Sequence, residues 1–353
     1  MLVLLPFAFS MASCDVHEFP DIPEKVPFYL KLNCDITATN ITEWNHLYDG
    51  DDVFEQGLGN TYDNTHKYGH IRYIVRAYPV SSKQRTSQDY SQEFVFEKEL
   101  SGGYDHTAAF DLAPGDYNIM VWADLVRHSS DTPFYNADNF SEITLQGEHQ
   151  GNTDYRDAFR GTAKVTLTAD IMEREPTTVE IDLQRPLAKY EFVTTDLTEF
   201  INKEQTRAEE RSRTQGETKS ADNAAPETRV NIEDYRVVFY YVGFMPNAYS
   251  MFTDKPVDSA TGVLFESTLN SISETEASVG FDYVFVNGTE SAVTVQIGIY
   301  DNEGTQLSLT EPIKVPLRRS HHTIMRGMFL MSEASGGVSI NPEFDGDYNL
   351  VFP

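Results

Sequence analysis

The chain has 353 residues, 40% hydrophobic and 12% aromatic, which is enough for two or three domains with packed cores. Its formal net charge of −28 excludes a nucleic-acid partner, whose phosphates need a basic face, and excludes adhesion to an anionic membrane by charge. Acidic excess otherwise serves solubility.

The first segment, Leu2 to Phe9, is an apolar run too short to span a bilayer, which needs about 20 residues. Its length suits the core of a secretion signal. It leads into Met11-Ala12-Ser13-Cys14. Small residues directly before a cysteine resemble the bacterial lipobox, in which the cysteine is acylated and the leader is removed. No Lys or Arg precedes Cys14, and Met11 stands where that pattern has Leu. The other reading is an ordinary secretory leader with an incidental cysteine. The expected organisation is a lipoprotein signal peptide at 1–13, lipidation at Cys14 and a tether at 14–25 containing Pro20 and Pro23. Acyl chains contribute roughly 0.8 kcal/mol per buried CH₂, and two or more anchor stably. Residues 15 to 25 reach at most about 38 Å at ~3.5 Å each, so the body would sit close to the membrane.

Beyond the tether, period-two alternation dominates. Val26 to Cys34, His70 to Tyr78, Glu93 to Glu97, Pro114 to Trp122, Ala163 to Thr168 and Thr178 to Leu183 read as strands of a first domain at 26–184. Arg185 to Thr194 opens a second domain at 185–353. It continues through Tyr235 to Gly243, Gly262 to Leu269, Val279 to Val286, Ala292 to Tyr300, Thr305 to Val315 and Thr323 to Leu330. Asn287-Gly288 and Asp301-Asn302-Glu303-Gly304 are hairpin turns. Many short strands with regular turns predict an all-β chain of two Greek-key sandwiches in tandem. A Gly-Asp-Tyr turn before an apolar strand occurs at Gly115-Asp116-Tyr117 and again at Gly346-Asp347-Tyr348, consistent with two such units.

Helical spacing is confined to Asp196 to about Glu210, with Asp196 as N-cap and Glu199 completing a capping box, and to a short turn near Asp154 to Phe159. Residues 203–231 hold no aromatic residue and cannot bury enough apolar surface to offset ordering entropy. They are expected to form a disordered loop, open to tryptic nicking at Arg207, Arg211, Arg213, Lys219 and Arg229.

Catalytic patterns are missing: there is no Gly-x-Ser-x-Gly elbow, no phosphate or dinucleotide glycine motif and no His-Glu-x-x-His. With Cys14 acylated, Cys34 is the only thiol. It ends the apolar run Phe28-Tyr29-Leu30-Lys31-Leu32-Asn33-Cys34, where a buried cysteine is expected. His66 and His70 sit beside a strand rather than on a helix. His321 and His322 are adjacent, so a strand would point them to opposite faces. Both pairs read as surface or turn histidines. Asp345, Asp347 and Asn349 imitate the start of a calcium loop, but no bidentate Glu follows. The expectation is an enzyme-free chain without cofactor or metal. Two aromatic groups could stack on a glycan: Trp122 with Phe134 and Tyr135, and Phe239-Tyr240-Tyr241 with Phe244, Tyr249 and Phe252. The triplets at Asn40, Asn139 and Asn287 match N-glycosylation, and Asp258-Ser259-Ala260 a short O-glycosylation signal.

Four segments carry a family resemblance. Ala158-Phe159-Arg160-Gly161, Arg185-Pro186-Leu187-Ala188-Lys189-Tyr190-Glu191-Phe192, Tyr240-Tyr241-Val242-Gly243-Phe244-Met245-Pro246 and Gly337-Val338-Ser339-Ile340-Asn341-Pro342-Glu343-Phe344-Asp345-Gly346 resemble a Bacteroidetes lipoprotein family. That family is related in pattern to fimbrillin-like and FimB-type fimbrial anchor proteins. The resemblance implies two transthyretin-like sandwiches, outer-membrane export as a lipoprotein, and assembly with fimbrial subunits by strand exchange after proteolysis. Polymerising members are opened by an arginine-specific protease near the first strand. Here the first arginine is Arg72, inside a predicted central strand, with only Lys25 and Lys31 before it.

The expected function is a non-enzymatic cell-surface lipoprotein of fimbrial or adhesin type, anchoring or terminating a type V pilus-like assembly. Its membrane contact would come through the N-terminal lipid. The alternative, carried by the aromatic groups, is a glycan-binding surface lipoprotein of a polysaccharide-uptake system.

Overall fold

A computed structural model of the chain describes residues 24–34, 40–45, 53–54, 69–80, 87–100, 106–129, 131–168, 177–214 and 230–331. The leader, Cys14, most of the tether, His66 and the C-terminal Gly-Asp-Tyr turn lie outside them.

The strands in chain order begin with β1 (Val26–Asn33), β2 (Asn40–Asn45), β3 (Val53–Phe54), β4 (His70–Pro79) and β5 (Gln92–Glu99). They continue with β6 (His106–Leu112), β7 (Gly115–Val126), β8 (Tyr135–Asn136), β9 (Ile143–Leu145), β10 (Ala158–Leu167) and β11 (Thr177–Asp182). Two sheets, β11-β1-β6 and β10-β7-β4-β5, face each other as a first sandwich. The alternation read from sequence explains the packing. Phe28, Leu30, Tyr73, Val75, Phe110, Ile119, Val121 and Ile181 form the core between the sheets, and Cys34 is buried beside them. Where β10 passes β11 only a glycine fits. A Cβ on Gly161 would lie 2.5 Å from Ile181 Cγ2 and 2.6 Å from Leu183 Cδ2.

The second half starts with β12 (Leu187–Thr194) and α1 (Leu197–Thr214), followed by β13 (Arg236–Tyr241), β14 (Met245–Ser250), β15 (Lys255–Ala260) and β16 (Leu264–Thr268). It ends with β17 (Asn270–Ser271), β18 (Ala277–Phe285), β19 (Glu290–Tyr300), β20 (Gln306–Leu309), β21 (Ile313–Arg318) and β22 (His321–Gly327). The sheets β17-β18-β12-β22-β2-β3 and β16-β13-β19-β20, with β21 also on β19, enclose a second core. Tyr190, Phe192, Phe239, Phe265, Val295, Ile297 and Phe329 fill it. The chain is therefore all-β, two sandwiches in tandem.

Three differences from the sequence reading have local causes. The strand expected at Thr305 to Val315 is two strands, because Pro312 lacks the N–H that a continuous ladder needs. The helix runs past Glu210 to Thr214, so residues 203–214 of the expected disordered loop are helical. Arg207 and Arg211 lie 3.8 Å from Asp301, and Phe200 packs edge-on against Tyr235, giving that stretch a partner its composition did not reveal. Lys219 and Arg229 lie outside the described residues. The Asp196 carbonyl accepts the first helical bond, from Phe200 N at 3.0 Å. Its carboxylate instead accepts from Thr194 Oγ1 and, at 2.8 Å, from Met331 N, tying the helix start to the end of the described chain.

Strands also cross between the halves. β2 pairs in parallel with β22, which in turn pairs in parallel with β12. A small sheet of order β15-β14-β9-β8 joins residues from both sides of Arg185.

Candidate functional site

Two regions bear on function: the point where the N-terminal tether would meet the body, and the seam between the sandwiches. Glu24 and Lys25 are exposed and run directly into β1. β1 is the middle strand of its sheet, antiparallel to β6 and parallel to β11. Val26, Phe28, Leu30 and Leu32 are buried. On its other face Lys31 Nζ donates to Glu180 and Asn33 Nδ2 to Asp182, each at 2.8 Å and each in register. Removing such a strand would expose two ladders of backbone groups and a stripe of core at once.

The seam begins with the second face of the sheet β10-β7-β4-β5. Strands β4 and β7 are buried on both sides, so residues pointing away from the first core meet the second half. Ile74, Tyr78, Met120 and Trp122 pack with Tyr135, Phe140, Ile143, Leu187, Tyr249, Tyr283 and Phe285. The Trp122 ring lies edge-on to Tyr135 at 5.4 Å, and its Nε1 donates to Asp124 at 3.1 Å.

Ion pairs cross this seam, each joining a residue before Gln184 to one after it, and three of them involve Arg156, Arg185 and Lys189. Arg156, on the 3₁₀ turn Asp154–Arg156, donates through Nη1 to Asp282 Oδ1 at 2.5 Å and through Nη2 to the Tyr283 carbonyl at 3.1 Å. Arg185 Nε donates to both carboxylate oxygens of Asp157 at 2.9 Å, with its guanidinium 4.7 Å from the Phe159 ring centre. Lys189 Nζ donates to Asp154 at 2.9 Å, and the Tyr283 hydroxyl donates to the same carboxylate at 2.8 Å. Asp282 Oδ2 further accepts from the Tyr241 hydroxyl at 2.7 Å and contacts His149 Nε2 at 2.7 Å. Tyr190 OH donates to Tyr241 OH at 2.8 Å. Buried charge pairs contribute little net stability over an apolar seam of the same shape, but each fixes one relative placement of its partners.

Burial opposes ionisation of Asp282, yet Arg156 and His149 hold its carboxyl below the usual range. Burial and the Asp282 charge push the Tyr190 and Tyr241 hydroxyls well up. Asp124 behaves oppositely: burial raises its carboxyl despite two bonds from Arg72. Burial also lowers His322. The sign for stability follows. An unfolded imidazole titrates near 6.5, so below that pH the unfolded state takes up a proton that folded His322 resists, and stability falls. Asp282 adds a second loss when pH drops below about 4, where its unfolded carboxyl protonates first. His322 therefore lowers the melting temperature from about pH 7 downward and Asp282 lowers it again below about pH 4, while Asp124, which takes up its proton more readily folded than unfolded, offsets part of the loss. A melting temperature unchanged between pH 7.5 and 5 would contradict the His322 part.

The sequence candidates fall in different places. Trp122, Tyr135, Phe239, Tyr241 and Tyr249 are buried in cores or seam, and Phe134 and Phe252 are half-buried against the seam. Of the two aromatic groups only Tyr240, half-buried, and Phe244, 68% exposed, remain at the surface. His322 is buried 3.2 Å from Glu191, not a surface histidine as expected, because β22 lies between two neighbours. His70 is half-buried in β4. Among the described residues no three His, Cys, Asp or Glu side chains are grouped to hold a metal ion, and no helix is long and apolar enough to cross a membrane. Sequence reasoning missed Arg156, Asp157, His149 and Asp282. The one local hint was a carboxylate in the apolar strand Val279 to Val286, a residue type rarely buried without a partner.

Three of the four segments behind the family resemblance meet at this seam: Ala158 and Phe159, Arg185 to Lys189, and Tyr241. A family model, described as a family of unknown function (DUF6562), matches residues 29–353. A comparison with curated proteins gives no match. Among solved structures the chain is similar to a protein of Bacteroides thetaiotaomicron provisionally described as polysaccharide-binding, at 11% identity and TM-score 0.41, covering 80% of this chain and 79% of that one. It is similar to a fimbrial anchor protein of Porphyromonas gingivalis at 12% identity and TM-score 0.36, covering 80% and 82%. A fimbrial assembly protein of Parabacteroides distasonis gives 11% identity and TM-score 0.36, covering 88% and 94%.

Proposed function

We propose, from the premise that this chain belongs to the DUF6562 family, that it is a non-enzymatic surface lipoprotein that anchors or terminates a fimbrial assembly. The observation that carries this reading is the seat of β1. The proposed tether feeds into a strand bonded on both sides and pinned by Lys31–Glu180. A load-bearing subunit held by its own lipid needs an integral first strand, whereas a shaft subunit must surrender it. The place of the first arginine supports the same choice, since Arg72 lies within β4, its guanidinium donating to Asp124. The apolar seam and the ion pairs across it favour a terminal subunit, which has to pass load from one half to the other. Glycan binding, the alternative, loses most of its candidate rings to the interior.

Cys14→Ala tests the anchor. The variant should fold with an unchanged melting temperature and leave the membrane fraction, because the acidic body offers no electrostatic substitute for acyl chains. Retention in outer membranes after high salt and carbonate would overturn the anchor. Crosslinking on intact cells should recover fimbrial subunits with the wild type. Trimming after Lys25 or Lys31 followed by polymerisation would instead make it a shaft subunit.

A further inference from the structure

We infer that Ser259, near the end of β15, is an O-glycosylation site and carries a sugar joined through its hydroxyl. The tripeptide Asp258-Ser259-Ala260 has the order of the short acceptor signal, a carboxylate before the hydroxyl and a small residue after it. Three residues recur easily by chance. What sets this copy apart is its place in the fold.

β15 is the outermost strand of the sheet β15-β14-β9-β8, bonded to β14 on one side only. An edge strand offers its free backbone groups to an incoming chain, and an enzyme can seize it by adding a strand of its own. Two register shifts in the β14–β15 ladder, on either side of Ala248, loosen the hold on Asp258, its partner. The strand ends at Ala260, and Gly262, at a φ of 69°, turns the chain toward β16. Asp258 is exposed and Ser259 half-buried. Among the described residues no hydrogen bond engages the Ser259 hydroxyl, so none has to be broken before it reacts. The Asn139 triplet gives the contrast. There Asn139 Oδ1 accepts from Ser141 N at 3.0 Å and Phe140 is fully buried in the seam. A transferase could not draw that triplet into its active site without unpacking it.

Apolar surface lies beside the Ser259 hydroxyl. Pro246 is its register partner. Phe244, two residues before Pro246, is the most exposed large hydrophobic side chain among the described residues, and Val257 on β15 is 40% exposed. Positions across and diagonal to one another on a ladder lie within reach of large side chains. A first sugar on Ser259 would lay its C–H face over this patch and screen the free edge of β15 from other strands.

The attachment uses a transferase and a sugar activated as a diphosphate ester, both supplied by the cell. Ser259 Oγ attacks the anomeric carbon. The new C–O bond forms as the bond from that carbon to the diphosphate breaks, and the electron pair leaves with the diphosphate. The hydroxyl proton passes to a base of the transferase. The Asp258 carboxylate is the charged handle that distinguishes this serine from others on the surface. The site is independent of the lipid anchor, because it needs only a transferase in the compartment the protein passes through.

Mass spectrometry of the full-length protein, purified from the cells that naturally produce it, tests the inference. Digestion after glutamate gives a fragment running from Asp234 to Glu266. It should carry at least one sugar, placed on Ser259 by electron-transfer fragmentation. Ser259→Ala and Asp258→Asn should each abolish the addition, whereas Ser259→Thr should keep it because the hydroxyl remains. Thermal melts should show all three variants folded. A wild-type fragment without sugar overturns the inference. So does a sugar that persists on this fragment in Ser259→Ala, or one that persists in Asp258→Asn.

Discussion

Asp282→Asn should remove about 3–5 kcal/mol from the unfolding free energy at neutral pH, the range for breaking one side of a buried charge pair. The substitution keeps the shape of the side chain and deletes only its charge. Arg156, 2% exposed, is then left as an uncompensated cation. The Tyr241 hydroxyl and His149 also lose the anion that they face. Urea denaturation measures the loss directly. The partner experiment is Arg156→Met in the same background. Arg156→Met removes the uncompensated buried cation and leaves a neutral amide that can still accept from the Tyr241 hydroxyl, so the double variant should regain much of what the single variant lost. A single variant within about 1 kcal/mol of wild type would show the pair to be solvated, and the account of the seam would fail.

Trp122→Ala should be comparably severe, about 3–5 kcal/mol, the range for truncating a buried aromatic. The side chain is fully buried and bridges Tyr135, Tyr249 and the Asp124 carboxylate. Its removal leaves a cavity in the seam rather than in either sandwich core, so both cores keep their packing while their mutual placement loosens. The chain has two tryptophans, and Trp44→Phe leaves Trp122 as the sole indole reporter. Its emission should be blue in the native state and shift red in a single step with unfolding. A red native emission would place the ring in water and return it to the glycan candidates.

Much of the fold was legible because half-buried strands announce themselves by alternation. β1, β4, β11 and β19 were each readable to within a few residues, and Asn287-Gly288 and Asp301 to Gly304 marked their turns, with Gly288 and Gly304 both at positive φ. Asp301 Oδ1 accepts from Glu303 N and Thr305 N as such a turn requires. β2, β8, β14 and β15 were not readable. They are short, and β2 and β14 take partners far along the chain in β22 and β9, while the local pairs β8–β9 and β14–β15 show too little alternation to be read as strands. The seam was hidden for the same reason: Arg156 and Asp282 become neighbours only when both sandwiches are in place. Strand phase distinguishes Tyr240 outside from Tyr241 inside.

The parallel pairing of β2 with β22 sets a schedule for how the protein is made. Asn40 finds His321, and Asn45 finds Arg326, only after the intervening residues have all been synthesised. Until then the N-terminal segment waits with an unsatisfied edge, and contacts this distant in sequence are intrinsically slow to form. A chain that folds while it emerges would hold that edge open to any neighbouring strand throughout its synthesis. Crossing a membrane unfolded and folding afterwards removes the wait, because both strands then become available together. The arrival of β22, not the completion of the first sandwich, paces maturation.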